Sequence, residues 1–377
     1  MRTHYLRPLI ATTILAGALF LDVFALDNGV ARTPPMGFNP YNAEYCGMRE
    51  IQWKTIAYAM SVNGMKEAGY IYCNTDCGIN GANVRDAQGN YTWSTSMFPN
   101  GIPKLWEYIH SLGLKAGLYI FPPHQNHEVP GNIEKDAPIF ASWGCDYLKY
   151  DGWAGTQAWE FTAMRDALLK TGRPIVYSVN GASGGAICNM WRTSGDIGWE
   201  WEHVMASALS NSAGAGKPGA WCDPDMLEVG NMRTSIEDMS HFSIWCITSS
   251  PLISGHDPRQ MFLMTHYILL NTEAIAVNQD TAFSVNPSYG GSGKLLKTNG
   301  AIQTWVKTVT GGHKAVVLVN NGSTRATATV TWSELSLPAG VAQVRDLWEH
   351  KNLGSFTDSY SAELESHQCA FVKIIAG

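Results

Sequence analysis

The sequence is poor in charge. Asp, Glu, Lys and Arg make up 15% of it, no run of one sign appears, and 26 basic against 32 acidic residues leave a net −6. That balance gives no electrostatic footprint for a polyphosphate chain or an anionic bilayer, so no nucleic acid and no membrane surface is expected as a partner. Repeats and low-complexity linkers are missing too. The apolar run Leu9 to Leu21 has 13 residues, too few to cross a bilayer as a helix. The eight cysteines (Cys46, Cys73, Cys77, Cys145, Cys188, Cys222, Cys246 and Cys369) show no zinc spacing.

What is present fits a folded, loop-rich protein with flat apolar rings to offer a ligand. There are 37 Gly and 14 Trp, and 11% of the 377 residues are aromatic. Arg2 and Arg7 precede the short apolar run, and Val23-Phe24-Ala25 places small residues at −3 and −1 of a cleavage site. A signal peptide over residues 1–25 and a secreted, extracellular mature chain are therefore expected. Cleavage removes two Arg and one Asp, so 24 basic minus 31 acidic residues give −7. Secretion permits disulfides, whose connectivity the spacing leaves open. Asn90-Tyr91-Thr92 and Asn321-Gly322-Ser323 are glycosylation acceptors where the host performs that chemistry.

Along the chain, strand and helix patterns alternate. Strands are expected near 33–42, 70–75, 115–121, 147–151, 174–179, 190–193, 220–222 and 251–254. Helices are expected at 50–68, 102–112, 133–143, 156–170, 203–210, 235–248 and 259–270. Eight strand–helix units over residues 26–282 point to an α/β fold, a closed TIM (β/α)8 barrel. From residue 283 to 377 the pattern becomes strands at 302–306, 315–319, 326–331, 343–347 and 371–375, a smaller antiparallel β domain, expected as a sandwich.

Chemistry concentrates at strand ends. In Tyr147-Leu148-Lys149-Tyr150-Asp151-Gly152-Trp153, apolar residues make a short strand, Gly152 breaks it, and Lys149 and Asp151 sit at its C-terminal tip. That tip is the active face of a parallel barrel. Two apart on a strand, they point the same way, and the ammonium would keep the carboxylate ionised for nucleophilic attack. A structural ion pair is the alternative. Asp196, after the sixth strand in Trp191-Arg192-Thr193-Ser194-Gly195-Asp196, is a second carboxylate, which otherwise reads as a helix cap. Two carboxylates across a barrel mouth suit glycoside cleavage, one protonating the leaving oxygen while the other attacks the anomeric carbon. Arg192 can grip vicinal hydroxyls through its planar fork. Asp223-Pro224-Asp225 after the seventh strand forms a rigid acidic turn, able to bind hydroxyls or a metal or merely to sit in water. His124 and His127 follow the third strand without an evident third ligand, so no metal is expected.

Several motifs, in order and at barrel spacing, resemble glycoside hydrolase family 27, the retaining α-galactosidases and α-N-acetylgalactosaminidases. They are Leu26-Asp27-Asn28-Gly29 with Pro35-Met36-Gly37, Lys149-Tyr150-Asp151-Gly152, Trp191-Arg192 with Asp196-Ile197, Asp223-Pro224-Asp225-Met226-Leu227 with Gly230-Asn231, Pro251-Leu252 with Asp257, and Val277-Asn278-Gln279-Asp280. The resemblance implies a TIM barrel followed by an antiparallel β domain, a retaining two-carboxylate mechanism and no cofactor. It makes Asp151 the nucleophile and Asp196 the general acid and base. Lys149 and Arg192 would bind hydroxyls, with Asp225 holding the sugar beside Asp196. Tyr41 stands where the family has a Trp, Tyr119 matches a pocket Tyr, and Cys46 and Cys77 match a bonded pair. The implied partner is an α-galactoside-containing oligosaccharide or polysaccharide.

Departures from the family bear on substrate. In Asn74-Thr75-Asp76-Cys77 one Asp replaces the family's adjacent pair, which holds the 4- and 6-hydroxyls of galactose. That change makes a pentopyranose, β-L-arabinopyranose, a candidate beside galactose. After the fifth strand, Ser178-Val179-Asn180-Gly181-Ala182-Ser183 replaces the family's Glu or Ser, leaving room for a bulkier 2-substituent such as that of α-N-acetylgalactosamine. Trp153 and His127 occupy the positions of another family disulfide, so that bridge is expected to be missing. A catalytically silent sugar-binding protein is the alternative outside enzymes.

Overall fold

The computed structural model describes residues 26–80, 84–122, 132–152, 156–182, 184–282 and 291–376. The leader, His124, His127, Trp153, Ser183 and the expected domain boundary at 283 lie outside the described residues.

Eight parallel strands form the first sheet: β1 Met36–Phe38, β2 Tyr72–Asn74, β3 Lys115–Ile120, β4 Tyr147–Asp151, β5 Val176–Asn180, β6 Met190–Arg192, β7 Trp221–Asp223 and β8 Leu252–Ser254. Their spatial order is β7-β6-β5-β4-β3-β2-β1-β8. Beyond β7, Leu227 bridges Ser254 in parallel, and its N–H reaches Ile253 O at 2.7 Å, so the curled sheet meets its own other edge. These strands are covered on both sides and read as apolar runs rather than alternating ones. Gly117 in β3 leaves space for a neighbour: a Cβ there would lie 2.0 Å from Asn74 Oδ1.

The outer layer is helical: α1 Tyr41–Glu44, α2 Glu50–Val62, α3 Met65–Ala68, α4 Ile102–Ser111, α5 Asn132–Trp143, α6 Ala158–Lys170, α7 Trp201–Ser210, α8 Ser235–Ile247, α9 Leu263–Leu269 and α10 Thr272–Gln279. The helix expected at 50–68 is two helices, because Gly64 adopts φ +92 and stops the first. Trp53, Ile56, Ala57 and Met60 form the buried stripe of α2. The helix expected at 259–270 begins later, after a 3₁₀ turn at Pro258–Gln260 that Asp257 caps through the Arg259 N–H. α10 was not expected, although Asn271 caps it through the N–H groups of Glu273 and Ala274. Among the described residues β5 and β6 are joined without a helix, so the alternation is not strictly eightfold.

The C-terminal part is antiparallel. A six-stranded sheet, order β14-β13-β16-β11-β10-β9, faces a two-stranded sheet, β12-β15. The strands are β9 Lys294–Asn299, β10 Ile302–Thr308, β11 Lys314–Asn320, β12 Ala326–Thr331, β13 Val341–Asp346, β14 Lys351–Thr357, β15 Ser359–Leu364 and β16 Cys369–Ala376. β9, β14 and β15 were not anticipated. Val316 and Leu318 of β11 point between the two sheets, with Val330, Trp332, Val344 and Val372. Ala315, Val317 and Val319 point the other way, into the core shared with the barrel. Full burial of each such Val or Leu is worth about 1.5–3 kcal/mol. α8 fills that junction: Ser240 through Ile247 are buried without a break.

Candidate active site

The C-terminal tips of the strands surround a hollow of about 120 Å³, open to solvent. A space with room for roughly ten waters accommodates a sugar ring. Tyr41, Asp76, Tyr119, Lys149, Asp151, Arg192, Asp196 and Asp225 line it, joined by Asn42, Ile197 and Met226. Residues separated widely in sequence thus meet because the parallel ring turns every strand end to one side. A second, tighter space of about 20 Å³ lies among Tyr147, Lys149, Ser178, Asn180, Arg192 and Asp223.

Asp151 ends β4, half-buried. The Tyr119 hydroxyl donates to its Oδ2, and Asn180 Nδ2 donates to Oδ1 at 2.9 Å. Burial, followed by the Asp151 charge, pushes the Tyr119 phenol far above its ordinary pKa, so it remains a donor. The alternative of a structural ion pair finds Lys149 with another partner: its Nζ lies 3.2 Å from Asp76 Oδ2. The two-residue spacing set the direction of Lys149, but a carboxylate from the next-but-one strand supplies its partner. Burial would lower the Lys149 pKa, but Asp76, then Asp151 and Asp225, outweigh it and hold the ammonium charged. Lys149 therefore acts on Asp151 through space, and it also sits 5.0 Å from the Tyr119 ring centroid. Asp76 is held by Asn39 Nδ2 at 2.7 Å and by the Cys77 N–H at 2.9 Å. Its neighbour Thr75 is fully buried and donates to Gly117 O.

Asp196 lies beyond β6 with its side chain 85% exposed, and Arg192 Nη2 reaches its Oδ1 at 3.2 Å. The same nitrogen is 2.7 Å from Asp225 Oδ2. Burial works against the Arg192 charge, yet Asp225, Asp223 and Asp196 raise its pKa. Asp225 has φ +87, a conformation seldom adopted outside glycine. It is held there by its N–H to Asp223 Oδ1 and by Trp245 Nε1 on its carbonyl. Its Oδ2 also accepts the Ile197 N–H at 2.9 Å, so Asp225 pins the loop that carries Asp196. Asp223 is pushed up to about 6, chiefly by burial, with Asp225 adding to it against the pull of Arg192.

Sequence reasoning missed Asn39, Asn42 and Glu228. Asn39 follows β1 directly and so stood at an active-face position. Glu228 is fully buried, its carboxylate accepting from Asn42 and, at 2.9 Å, from Asn231. Burial raises its pKa to about 7. Its N–H donates to Nε2 of buried His241, whose pKa burial lowers to about 3, leaving a neutral ring. Cys46 and Cys77 are joined as a disulfide. Among the described residues the other six cysteines carry free thiols, five of them buried, and no cluster of three His, Cys, Asp or Glu side chains is placed to hold a metal.

A parallel ring joined to an antiparallel sandwich, with two carboxylates lining one hollow at its strand tips, suits a barrel glycosidase. Residues 40–280 match the profile described as alpha galactosidase A, and residues 299–374 match the alpha galactosidase C-terminal beta sandwich domain. An alpha-galactosidase of Cyamopsis tetragonoloba is 40% identical over 368 residues, which cover 92% of this chain and 87% of that one. The crystal structure of alpha-galactosidase I from Mortierella vinacea superposes with a TM-score of 0.84 at 30% identity, covering 93% of this chain and 99% of that one. A β-L-arabinopyranosidase from Geobacillus stearothermophilus shares the fold, with a TM-score of 0.81 at 23% identity over 92% of this chain and 97% of that one. The chain belongs to the alpha galactosidase A family, glycoside hydrolase family 27, and is a glycoside hydrolase.

Proposed function

We propose that this protein is a secreted, retaining exo-α-galactosidase that removes terminal α-D-galactosyl residues from oligosaccharides or polysaccharides. The observation that carries the reading is that Asp151 and Asp196 line one sugar-sized hollow. An Asp151 oxygen attacks the anomeric carbon as the glycosidic C–O bond breaks, and Asp196 gives its proton to the departing oxygen. The product of this step is a β-glycosyl ester on Asp151. Water then attacks the same carbon, Asp196 takes the water's proton, and the ester bond breaks to free Asp151. Two inversions return the original anomeric configuration.

The surrounding groups suit these roles. Tyr119 and Asn180 aim the Asp151 carboxylate. Lys149, Asp76 and Arg192 meet sugar hydroxyls, Asp225 keeps the Asp196 loop in register, and Tyr41 offers a flat wall. The residue 1–25 leader supports secretion. The alpha-galactosidase names of relatives at about 40% identity support galactose as the terminal sugar.

A second reading, β-L-arabinopyranosidase, is favoured by Thr75, which is turned into the core so that Asp76 stands without a carboxylate beside it. Purified protein should be assayed with the 4-nitrophenyl glycosides of α-D-galactopyranose, β-L-arabinopyranose and α-N-acetylgalactosamine. The galactoside is expected to give the highest kcat/KM, and NMR of the first product should show the α anomer. Preference for either other sugar would replace the galactosidase reading. A first-formed β anomer would end the double displacement.

A further inference from the structure

The turn after β1 is anchored at alternate residues to three other parts of the ring. Asn42 donates to Glu228, beyond β7. Glu44 accepts from Arg259, beyond β8, whose guanidinium also grips Asp257 at 2.7 Å. Cys46 is bonded to Cys77, beyond β2. Two tyrosines take no part in these anchors, Tyr41 just before the first and Tyr45 between the last two. Tyr41 and Tyr45 are 41% and 63% exposed. Four apart on a helical turn, they meet edge to face, with ring centroids 5.9 Å apart and planes at 76°. Tyr41 lines the hollow, and Tyr45 packs against it from outside that lining. Tyr45 has φ +57 and ψ −146, a backbone that L side chains seldom adopt, and its N–H is tied to Tyr41 O at 2.9 Å.

An exposed aromatic ring packed on the wall of a sugar-sized hollow can offer its own flat face to the apolar C–H face of a second sugar ring. Its neutrality suits a carbohydrate, and the anchoring of the turn removes the cost of ordering a loop on binding. We propose that Tyr45, packed on Tyr41, is the stacking platform of an aglycone subsite. It holds the sugar next to the one being cleaved. This inference rests on the hydrolase reading above and deepens it: the natural substrate has a saccharide, not a small alcohol, on the leaving side.

The test is the ratio of kcat/KM on melibiose, whose leaving group is a hexose, to that on methyl α-D-galactopyranoside, whose leaving group is methanol. Tyr45→Ala is expected to lower the ratio about 10-fold, the scale of one lost apolar contact to a substrate. Tyr45→Gly should lower it equally while relaxing the backbone, since glycine accepts positive φ. Tyr45→Trp should preserve it. An unchanged ratio in the Ala and Gly variants overturns the subsite, whether overall activity holds or falls. Should the unaltered enzyme cleave neither compound, the failure lies with the galactosidase reading instead.

Discussion

Asp151 ends a strand of the ring, and two side-chain donors from the strands on either side hold it. Asp196 stands on a loop past its strand, 85% exposed, with one cation beside it. The contrast fits two different tasks. A nucleophile needs a fixed direction, which neighbours in a rigid sheet supply. A group that gives up a proton and takes one back needs water within reach and a charge that is not locked. The buried Asp225 lies closer to the Arg192 guanidinium than Asp196 does, 2.7 Å against 3.2 Å.

Three measurements would break or sharpen that contrast. The largest effect is expected for Asp151→Asn, which should cost more than about 10⁴-fold in kcat on every substrate, as loss of a nucleophile does. Residual activity within 100-fold of the parent would remove Asp151 from its role. Asp196→Asn should cost about 10²–10⁴-fold on melibiose. With 4-nitrophenyl α-galactoside the loss should be much smaller in the first step, because that leaving group departs without a proton. The same variant should lose the alkaline limb of a bell-shaped pH profile. Equal losses on both substrates would erase the distinction between the two carboxylates.

The smallest effect belongs to Glu228. Its folded pKa, about 7, lies above the ordinary carboxyl value of 4.5. The folded protein then binds the extra proton, so this group's stabilisation is complete below about pH 4.5 and is lost as pH rises through 7. Glu228→Gln should flatten the fall in Tm between about pH 4.5 and 7 by a few degrees, the scale of about 1 kcal/mol. An unaltered Tm–pH curve would show that Glu228 titrates as an ordinary carboxyl.

Much of the barrel was legible because buried strands announce themselves as apolar runs ending in Gly, Asp or Asn. The two carboxylates proposed for catalysis stood out for the same reason, each lying past such a run. The missing pieces have physical causes. β9 and β14 are the outer strands of the six-stranded sheet, and Lys351–Thr357 is largely exposed, so it lacks the apolar pattern that identifies a strand. The break at Gly64 hides inside a good helical stripe. The partner of Lys149 lies 73 residues away and that of Asn42 lies 186 away, contacts set by closing the ring rather than by local spacing.

α8 gives this enzyme an unusual constraint. With its long middle stretch dry on every side, wedged between ring and sandwich, it offers no slippage plane about which one half could swing over the other. The hollow is lined by ring residues alone, so a hinge between ring and sandwich would leave its walls unchanged.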